Sequence, residues 1–420
     1  MTAANAHSLF NGCQDPPCYL SAIGLSHGLE DRLRRADQSI RQRIREGFNN
    51  LKPYQKDNNL FINDDAYRIV MKEARARGKS VPALKVKFLL QGSTAYHTAV
   101  VPFYPPDQQA DRDVGVYIVM DLLTDDEPLI ASARLFETIE DILRPLCRER
   151  GWTLIDGDHP NAKSSCVRII IGEDAHIDLP LYAIPRDEYE KIEVALNRAK
   201  TFQGMDSLSE SLAHDGVSGV RLDHDQVQLA HRREGWIVSD PRLIQDWVEA
   251  QVVRYGPVFR RLCKYLKGWR NETWKDCGGP SSIILMVCVA TVLRDLYGRS
   301  YESRDDALEL AISERLPELF SGEIENPNPP RGERIVLNND WSDSDRRNFI
   351  NQARQLNAKL AAAIERPSTR VQIVTHLQSA HGERMPYAPE KVVLQTTNTA
   401  SVGSLAAKRA LNPATSSISG

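Results

Sequence analysis

The sequence predicts an α+β fold: a mixed sheet with helices in the first half, then a lobe of helices, with a ligand cleft between the two. Runs rich in β-branched and aromatic residues lie in the first half, where 165–171 and 175–184 flank a turn at 172–174 as a hairpin. From Ser239-Asp240-Pro241 onward, where a capping residue precedes a proline, the patterns are mostly helical. A chain of 420 residues, 41% of them hydrophobic, has room for both units.

The expected boundaries follow these patterns. Residues 1–25 are predicted to be a flexible N-terminus, 26–235 the sheet-containing core, 236–390 the helical lobe and 391–420 a disordered tail. The core should begin with a long amphipathic helix, because apolar residues recur there at helical spacing, namely Leu29, Leu33, Ala36, Ile40, Ile44 and Phe48. A further helix is predicted from about Pro128 to Arg150, and a further strand over Val227–Arg232.

Composition narrows the class of protein. The net charge of −3 gives no electrostatic footprint for nucleic acid. Seven cysteines without a paired framework indicate reduced thiols in a cytoplasmic protein, and no signal peptide is visible. The longest apolar run, Ile283–Leu293, is too short to cross a bilayer and predicts a buried helix, so we expect no membrane association.

A Gly-Ser turn follows the first predicted strand of the core. The run 86–90 reads as a strand, and Gly92-Ser93 then turns the chain into a short helix. Glycine allows close backbone approach, and serine offers a hydroxyl and an amide N–H. Alone, such a pair is usually an ordinary turn. A strand that carries Asp-x-Asp follows, and that order is the one a nucleotidyltransferase needs.

Three acidic residues are the strongest chemical signal. Asp111 and Asp113 lie on one strand two residues apart, so their side chains share a face, while Arg112 should face the other way. Asp178 lies on a second apolar strand and is the natural third member. Two unpaired carboxylates cannot be buried together, so a cation must sit among them. Three hard carboxylates suit Mg²⁺, and two such ions would activate a hydroxyl and stabilise a leaving phosphate oxygen.

The predicted helical lobe offers a second group of polar residues. Gly278-Gly279-Pro280-Ser281-Ser282 opens an apolar helix and would present free amides and hydroxyls. Ser281 and Lys267 could therefore reach donor phosphates from the side opposite the aspartates. Gln91 and Tyr96, beside the Gly-Ser turn, are candidates for base or triphosphate contacts. For each of these residues a capped helix, a surface charge or routine packing is an alternative interpretation.

Together these stretches resemble the bacterial cGAS/DncV-like nucleotidyltransferases, in the DncV-like branch. The resemblance runs from about residue 30 to about 365, and the stretches that carry it are 91–96, 108–113, 176–182, 229–236, 239–241 and 278–282. It implies a polymerase-β-like nucleotidyltransferase core with a helical lobe. By position it assigns two Mg²⁺ ions, for which Mn²⁺ can substitute, to Asp111, Asp113 and Asp178. It assigns the nucleotide contacts to Gln91, Gly92, Ser93, Tyr96, Lys267 and Ser281.

The activity that the resemblance implies is synthesis of a cyclic oligonucleotide from nucleoside triphosphates, with release of pyrophosphate. Cyclic GMP–AMP from ATP and GTP is the expected product, and its role would be to switch on an effector in CBASS anti-phage defence. Two alternatives stay open: an enzyme that makes linear oligonucleotides or extends RNA, and a catalytically silent nucleotide sensor on the same fold.

The last residues add one expectation. From about Thr396 the chain is rich in Thr, Ser and Ala, and it ends at Gly420. Such a composition ordinarily predicts a disordered tail. In many CBASS operons an E1/E2-like enzyme conjugates the C-terminal residue of the nucleotidyltransferase to a target, which makes Gly420 a possible conjugation site.

Overall fold

The computed structural model describes residues 4–12, 17–50, 85–119, 123–124, 127–128, 131–203, 222–296, 304–366 and 369–394. Gly420 and the rest of the predicted tail from residue 395 lie outside these ranges. Among the described helices, none combines the length and the apolar character that crossing a bilayer requires.

The first half of the chain is built around a mixed sheet. Its strands are β2 (Val86–Leu90), β3 (Ala110–Val119), β6 (Thr153–Ile155), β7 (Cys166–Gly172), β8 (Ala175–Ile184), β9 (Gln228–His231) and β10 (Gly235–Val238). Two short ribbons lie outside it: β1 (Ala4–Asn5) with β11 (Val393–Leu394), and β4 (Leu123–Thr124) with β5 (Glu127–Pro128).

Strands β3 and β8 form the centre of this sheet and run parallel to each other. The sheet continues from β3 to β2, and from β8 to β9 and then β10, with antiparallel pairing at each of these steps. Strand β7 also pairs with β8, as the antiparallel hairpin expected from the sequence, and β6 extends that edge. The centre of the sheet therefore brings together residues that lie more than sixty positions apart in sequence.

The helices of the core are α3 (His27–Asn50), α4 (Gly92–Ala95), α5 (Ser132–Arg150) and α6 (Arg186–Gln203), after two short N-terminal helices, α1 (His7–Asn11) and α2 (Tyr19–Ala22). Every apolar position of the predicted stripe on α3 is buried. With α5, this helix covers one face of the sheet, where alternate residues of β3 such as Val116 and of β8 such as Ile177 form a common core. On the opposite face, the later residues of β3 and β8, such as Tyr117 and Tyr182, form a smaller core. The earlier residues of the two strands carry polar side chains on that face.

The second lobe consists of helices, as predicted. They are α7 (Arg242–Tyr255), α8 (Val258–Thr273), α9 (Ser282–Leu296), α10 (Asp305–Ser321), α11 (Asp343–Ile364) and α12 (Arg370–His381). Helix α9 is apolar on all sides because it runs through the centre of this lobe. Strand β10 still belongs to the sheet, so the sheet ends at Val238, slightly beyond the boundary expected at residue 235.

The start of the chain differs from the flexible segment that we expected. Residues Leu9, Phe10 and Tyr19 are fully buried in the core of the helical lobe. Strand β1 pairs with β11, and the backbone N–H of Ala6 donates to Asp306 Oδ2 at 2.7 Å. The composition of the N-terminal segment predicted flexibility because it contains few apolar residues. Those residues are buried in a core that forms only when the helical lobe folds.

The cysteines also differ in part from expectation. Cys147, Cys166, Cys263, Cys277 and Cys288 are free thiols, as predicted. Cys18 is disulfide-bonded, so the expectation of reduced thiols throughout the chain is wrong for this position.

Candidate active site

Four polar side chains, from two neighbouring pairs of residues on β3 and β8, lie on the face of the sheet that α3 and α5 leave uncovered. The parallel register places Asp111 beside His176 and Asp113 beside Asp178. Because side chains two residues apart in a strand share a face, all four point the same way. The predicted convergence of the three aspartates is therefore produced by the pairing of β3 with β8.

Asp113 lies directly against the Gly-Ser turn. Gly92 has a φ of +61°, and a Cβ at that position would come within 2.0 Å of Asp113 Oδ2. The backbone N–H of Gln91 donates to the Asp113 carbonyl oxygen at 3.0 Å, which fixes the turn to the strand. Burial raises the pKa of Asp113 well above its usual range, and the nearby carboxylates of Asp111 and Asp178 raise it further. This carboxylate thus lacks sufficient positive charge around it.

Asp178 is held by a residue to which the sequence analysis gave no role. The Arg168 guanidinium donates to both carboxylate oxygens of Asp178, at 2.7 Å from Nε and 2.6 Å from Nη2. Strand β7 places Arg168 directly opposite Asp178 in the hairpin. Counting outward from the centre of the predicted hairpin at Glu173 gives the same pair, so this contact could have been found from the sequence.

His176 is the second residue of the site to which the sequence motifs assign no role. Its Nε2 lies 3.3 Å from Asp111 Oδ1 and 4.0 Å from Asp178 Oδ2. One ligand atom from each of Asp111, His176 and Asp178 can be chosen so that all lie within 4.8 Å of one another, close enough to hold a metal ion. Asp111 Oδ1 and His176 Nε2 are both buried without a hydrogen-bond partner, which fits a cation between them.

The helical lobe contributes positive charge from the opposite side. Lys267 is buried on α8, and its Nζ donates to the Thr98 carbonyl oxygen at 2.8 Å. Arg270, one turn further along and missed by the sequence analysis, donates from Nη1 to Ser282 Oγ at 3.0 Å, where α9 begins. Burial, with the nearby Arg270 guanidinium, lowers the pKa of Lys267 to about 7. Positive charge is therefore local to the site although the chain is net acidic.

A cleft of about 690 Å³ separates these two groups of side chains. Its polar lining comes from both lobes and includes Gly92, Ser93, Tyr96, Asp111, Arg168, His176, Lys267, Arg270, Asn271 and Ser281. That volume lies within the range of small-molecule sites. The predicted cleft between the lobes is present, with Asp113 and Asp178 adjoining the lining residues on the wall that the sheet provides.

Most of the predicted nucleotide contacts line this cleft, but Gln91 does not. The Gln91 amide is buried, donating to Tyr117 Oη and accepting from Tyr182 Oη, both at 3.2 Å. This amide is hydrogen-bonded to these two tyrosines, whose rings are stacked on each other. The nucleotide contact expected of Gln91 stays a prediction. Arg112 faces away from the aspartates, as predicted, and its Nε donates to Asp37 Oδ2 at 3.0 Å.

Comparison with known families gives two matches along the chain. Residues 86–182 match the nucleotidyltransferase domain described as cyclic GMP-AMP synthase DncV-like. Residues 256–394 match the C-terminal domain of cyclic GMP-AMP synthase. The two matched segments correspond to the sheet-containing core and the helical lobe.

Three curated relatives bear the name cyclic GMP-AMP synthase. The protein from Vibrio cholerae serotype O1 is 35% identical over 253 residues, which span 58% of this chain and 55% of that protein. One from Escherichia coli is 29% identical across 88% of this chain and 89% of its own length. One from Escherichia coli strain TW11681 is 30% identical across 73% of this chain and 69% of its own length.

Solved structures of Vibrio cholerae DncV share the fold. The complex with GTP and 5MTHFGLU2 has a TM-score of 0.72 at 26% identity, covering 94% of this chain and 100% of that one. The complex with the linear intermediate 5′ pppA(3′,5′)pG has a TM-score of 0.71 at the same identity and coverage. The fold and the relatives together confirm the predicted resemblance: the chain belongs to the DncV-like nucleotidyltransferases, the family of the cyclic GMP-AMP synthases.

Proposed function

We propose that the protein joins ATP and GTP into cyclic GMP–AMP, or a related purine cyclic dinucleotide, and releases pyrophosphate. One observation carries this proposal. Asp111, Asp113 and Asp178 share one face of the sheet, with Asp113 against the Gly92-Ser93 turn and Asp111 in the cleft lining, and Lys267 and Ser281 line the cleft from the other lobe. The relatives described above bear the name cyclic GMP-AMP synthase. One structure of Vibrio cholerae DncV contains a linear dinucleotide intermediate.

The three carboxylates would hold Mg²⁺, with Mn²⁺ able to substitute. The unpartnered Asp111 Oδ1 and the raised pKa of Asp113 are what a site adapted to a cation should show before the cation binds. When bound, two divalent ions would acidify the attacking hydroxyl and neutralise charge on the departing pyrophosphate.

The remaining residues would position the nucleotides. Ser93 offers its N–H and hydroxyl to the donor phosphates, and Lys267 and Ser281 approach the same phosphates from the helical lobe. Tyr96, whose backbone carbonyl is fixed by Arg260 Nε at 2.9 Å, would contact the nucleotide beside the turn. Most of the rate enhancement in phosphoryl transfer comes from such positioning and charge neutralisation.

Two successive transfers complete the reaction. In the first, a ribose hydroxyl oxygen of one nucleotide attacks the α-phosphorus of the other triphosphate. A new P–O bond forms, the hydroxyl proton is lost to solvent, the bond from that phosphorus to the bridging oxygen breaks, and pyrophosphate leaves. The linear product then turns round in the cleft, and its own remaining triphosphate undergoes the same exchange. Each cyclic dinucleotide is thus accompanied by two molecules of pyrophosphate.

The test is incubation with ATP, GTP and Mg²⁺, followed by phosphatase treatment and mass spectrometry. We expect a phosphatase-resistant product with the mass of a cyclic dinucleotide, together with pyrophosphate. A phosphatase-sensitive oligonucleotide would instead establish the linear polymerase. Tight nucleotide binding without pyrophosphate release would establish the silent sensor.

The family resemblance supports a role for the product in defence. We propose that the product acts in the bacterial cytoplasm as a second messenger in CBASS anti-phage defence, switching on an effector. Addition of the purified product to a candidate effector from the same bacterium should activate that effector. Addition of a linear dinucleotide of the same bases serves as the control and should have no effect.

We propose that Gly420 is the point of conjugation to a target by an E1/E2-like partner. Deletion of Gly420 should abolish conjugates in cells that contain the partner, because the proposed linkage is made through this glycine. Immunoblotting for higher-mass forms of the protein measures this. Conjugates that persist after the deletion would remove the idea, while cyclic dinucleotide synthesis should be unchanged.

Nucleotide affinity should fall as the pH rises above about 7. In the nucleotide-free protein the pKa of Lys267 is lowered to about 7, so the side chain loses its proton as the pH rises through this value. A bound triphosphate favours the charged ammonium form. We expect the dissociation constant of a non-hydrolysable GTP analogue to rise up to about tenfold per pH unit between pH 7 and 9.

Calorimetry across that range measures the effect. Lys267→Met should bind more weakly and lose most of the pH dependence, and the exposed Lys163→Met should behave like the wild type. A wild-type affinity that stays constant from pH 7 to pH 9 would contradict a phosphate contact by Lys267.

A further inference from the structure

His176 contacts Gln109 through one ring nitrogen and faces Asp111 through the other. Gln109 Nε2 donates to the Glu173 carbonyl oxygen at 3.1 Å, which turns Gln109 Oε1 toward His176 Nδ1 at 3.0 Å. An amide oxygen can only accept a hydrogen bond, so the neutral imidazole carries its proton on Nδ1. His176 Nε2 consequently carries a lone pair and is aimed at Asp111.

This arrangement leaves two acceptors facing each other. His176 Nε2 and Asp111 Oδ1 lie 3.3 Å apart, and both are buried without a hydrogen-bond partner. The His176 side chain is only 9% exposed, so water cannot readily solvate it. In the neutral imidazole these are two buried lone pairs, which repel each other unless a cation lies between them.

We propose that His176 Nε2 is a ligand of the divalent cation held by Asp111 and Asp178, an inference that rests on the proposed function. This nitrogen ligand makes the site prefer Mn²⁺ to Mg²⁺. Mg²⁺ takes oxygen ligands almost exclusively, whereas a transition metal accepts an imidazole nitrogen together with carboxylates. In other proteins, a metal-binding histidine donates a hydrogen bond from its second ring nitrogen, and that bond orients the ring. The hydrogen bond from Nδ1–H to Gln109 is of this kind.

The Arg168 contact is compatible with this site. Each carboxylate oxygen of Asp178 accepts one hydrogen bond from Arg168 and retains a second lone-pair direction. Asp178 Oδ2, which lies 4.0 Å from His176 Nε2, can therefore bind a cation on its other side. Arg168 holds the carboxylate in a fixed orientation while His176 and Asp111 supply the remaining ligands.

The test uses Mn²⁺ alone, without nucleotide, and the full-length chain. Pulsed electron paramagnetic resonance of bound Mn²⁺ should show a directly coordinated nitrogen, and labelling the protein with ¹⁵N-histidine should change that signal. Competition against Mg²⁺ should show that Mn²⁺ binds at least about tenfold more tightly, a difference of about 1.4 kcal/mol.

Two substitutions separate the roles of the two ring nitrogens. His176→Asn keeps a donor near Nδ1 for Gln109 but provides no ligand at Nε2, so the nitrogen signal and most of the Mn²⁺ preference should be lost. His176→Gln places an amide oxygen near Nε2, so metal binding should survive with a weaker preference for Mn²⁺. His376→Asn, on α12 and outside the cleft lining, is the matched control and should behave like the wild type.

Thermal unfolding of the metal-free variants checks that each one folds. A wild-type protein that binds no Mn²⁺, or Mn²⁺ without a nitrogen signal, or a signal that persists in His176→Asn, would overturn the proposal. The assay of cyclic product in Mg²⁺ is scored separately. A wild-type protein with the nitrogen signal but without product would leave the metal site standing and contradict the proposed function.

Discussion

Replacing Asp113 with asparagine should abolish product formation without weakening the fold. The asparagine has the shape of the protonated carboxylic acid but cannot supply a negative charge to a divalent cation. We expect turnover to fall at least about a hundredfold, because several kcal/mol of charge stabilisation in the transition state is lost. Product formation is measured by mass spectrometry with ATP, GTP and Mg²⁺.

The stability of this variant is the more discriminating measurement. Burial and the neighbouring carboxylates hold the pKa of Asp113 well above its usual range, so its ionised form is unfavourable in the metal-free fold. An acid whose folded pKa is raised destabilises the fold as the pH rises above its unfolded value, near 4. Removal of the charge should leave the unfolding temperature at pH 7 equal to or above that of the wild type.

A matched control comes from an exposed acid of the same core. Asp158→Asn lies in the loop before β7 and should change neither turnover nor stability. An Asp113→Asn variant that retains more than about a tenth of wild-type turnover would contradict the role of Asp113, since less than about 1.4 kcal/mol would then depend on its charge.

Gly92→Ala should inactivate the enzyme through the same carboxylate. The new methyl group would lie 2.0 Å from Asp113 Oδ2, and φ is +61° at this position, a conformation that favours glycine. The turn and Asp113 must move apart, so the Gly-Ser turn and the carboxylates lose their relative positions. We expect at least about a hundredfold loss of turnover, since displacements of about 1 Å have such effects, and a loss of stability of about 1–3 kcal/mol.

Gly28→Ala provides the control for this substitution. A Cβ at Gly28 meets nothing within 4 Å, and the residue lies in α3, where alanine is favoured over glycine by up to about 1 kcal/mol. This variant should be as active as the wild type and no less stable. Full activity in Gly92→Ala, with unchanged stability, would mean that the close approach of the turn to Asp113 has no functional importance.

The elements that the sequence predicted well are those with a clear periodicity. The stripe on α3 and the hairpin of β7 and β8 were visible because burial selects apolar residues at spacings of 3.6 and 2. The alternation along β3 correctly separated Asp111 and Asp113 from Arg112, which lies in the core beside Asp37.

The parts that escaped prediction depend on contacts between distant segments. The position of His176 beside Asp111 follows from the parallel register of β3 and β8, which local patterns do not encode. The hydrogen bonds of the Gln91 amide to the stacked Tyr117 and Tyr182 could not be predicted either, because they join three separate segments of the chain. Helix α1 likewise owes its burial to the helical lobe, which begins more than two hundred residues later.

The central claim is that Asp111, Asp113 and Asp178 hold divalent cations beside a nucleoside triphosphate. Its most direct test is a crystal of the protein with Mn²⁺ and a non-hydrolysable GTP analogue, with data collected at a wavelength where Mn²⁺ scatters anomalously. We expect anomalous peaks at coordination distance, about 2 Å, from these carboxylates and from the triphosphate. A triphosphate bound elsewhere, or peaks away from these three side chains, would contradict it.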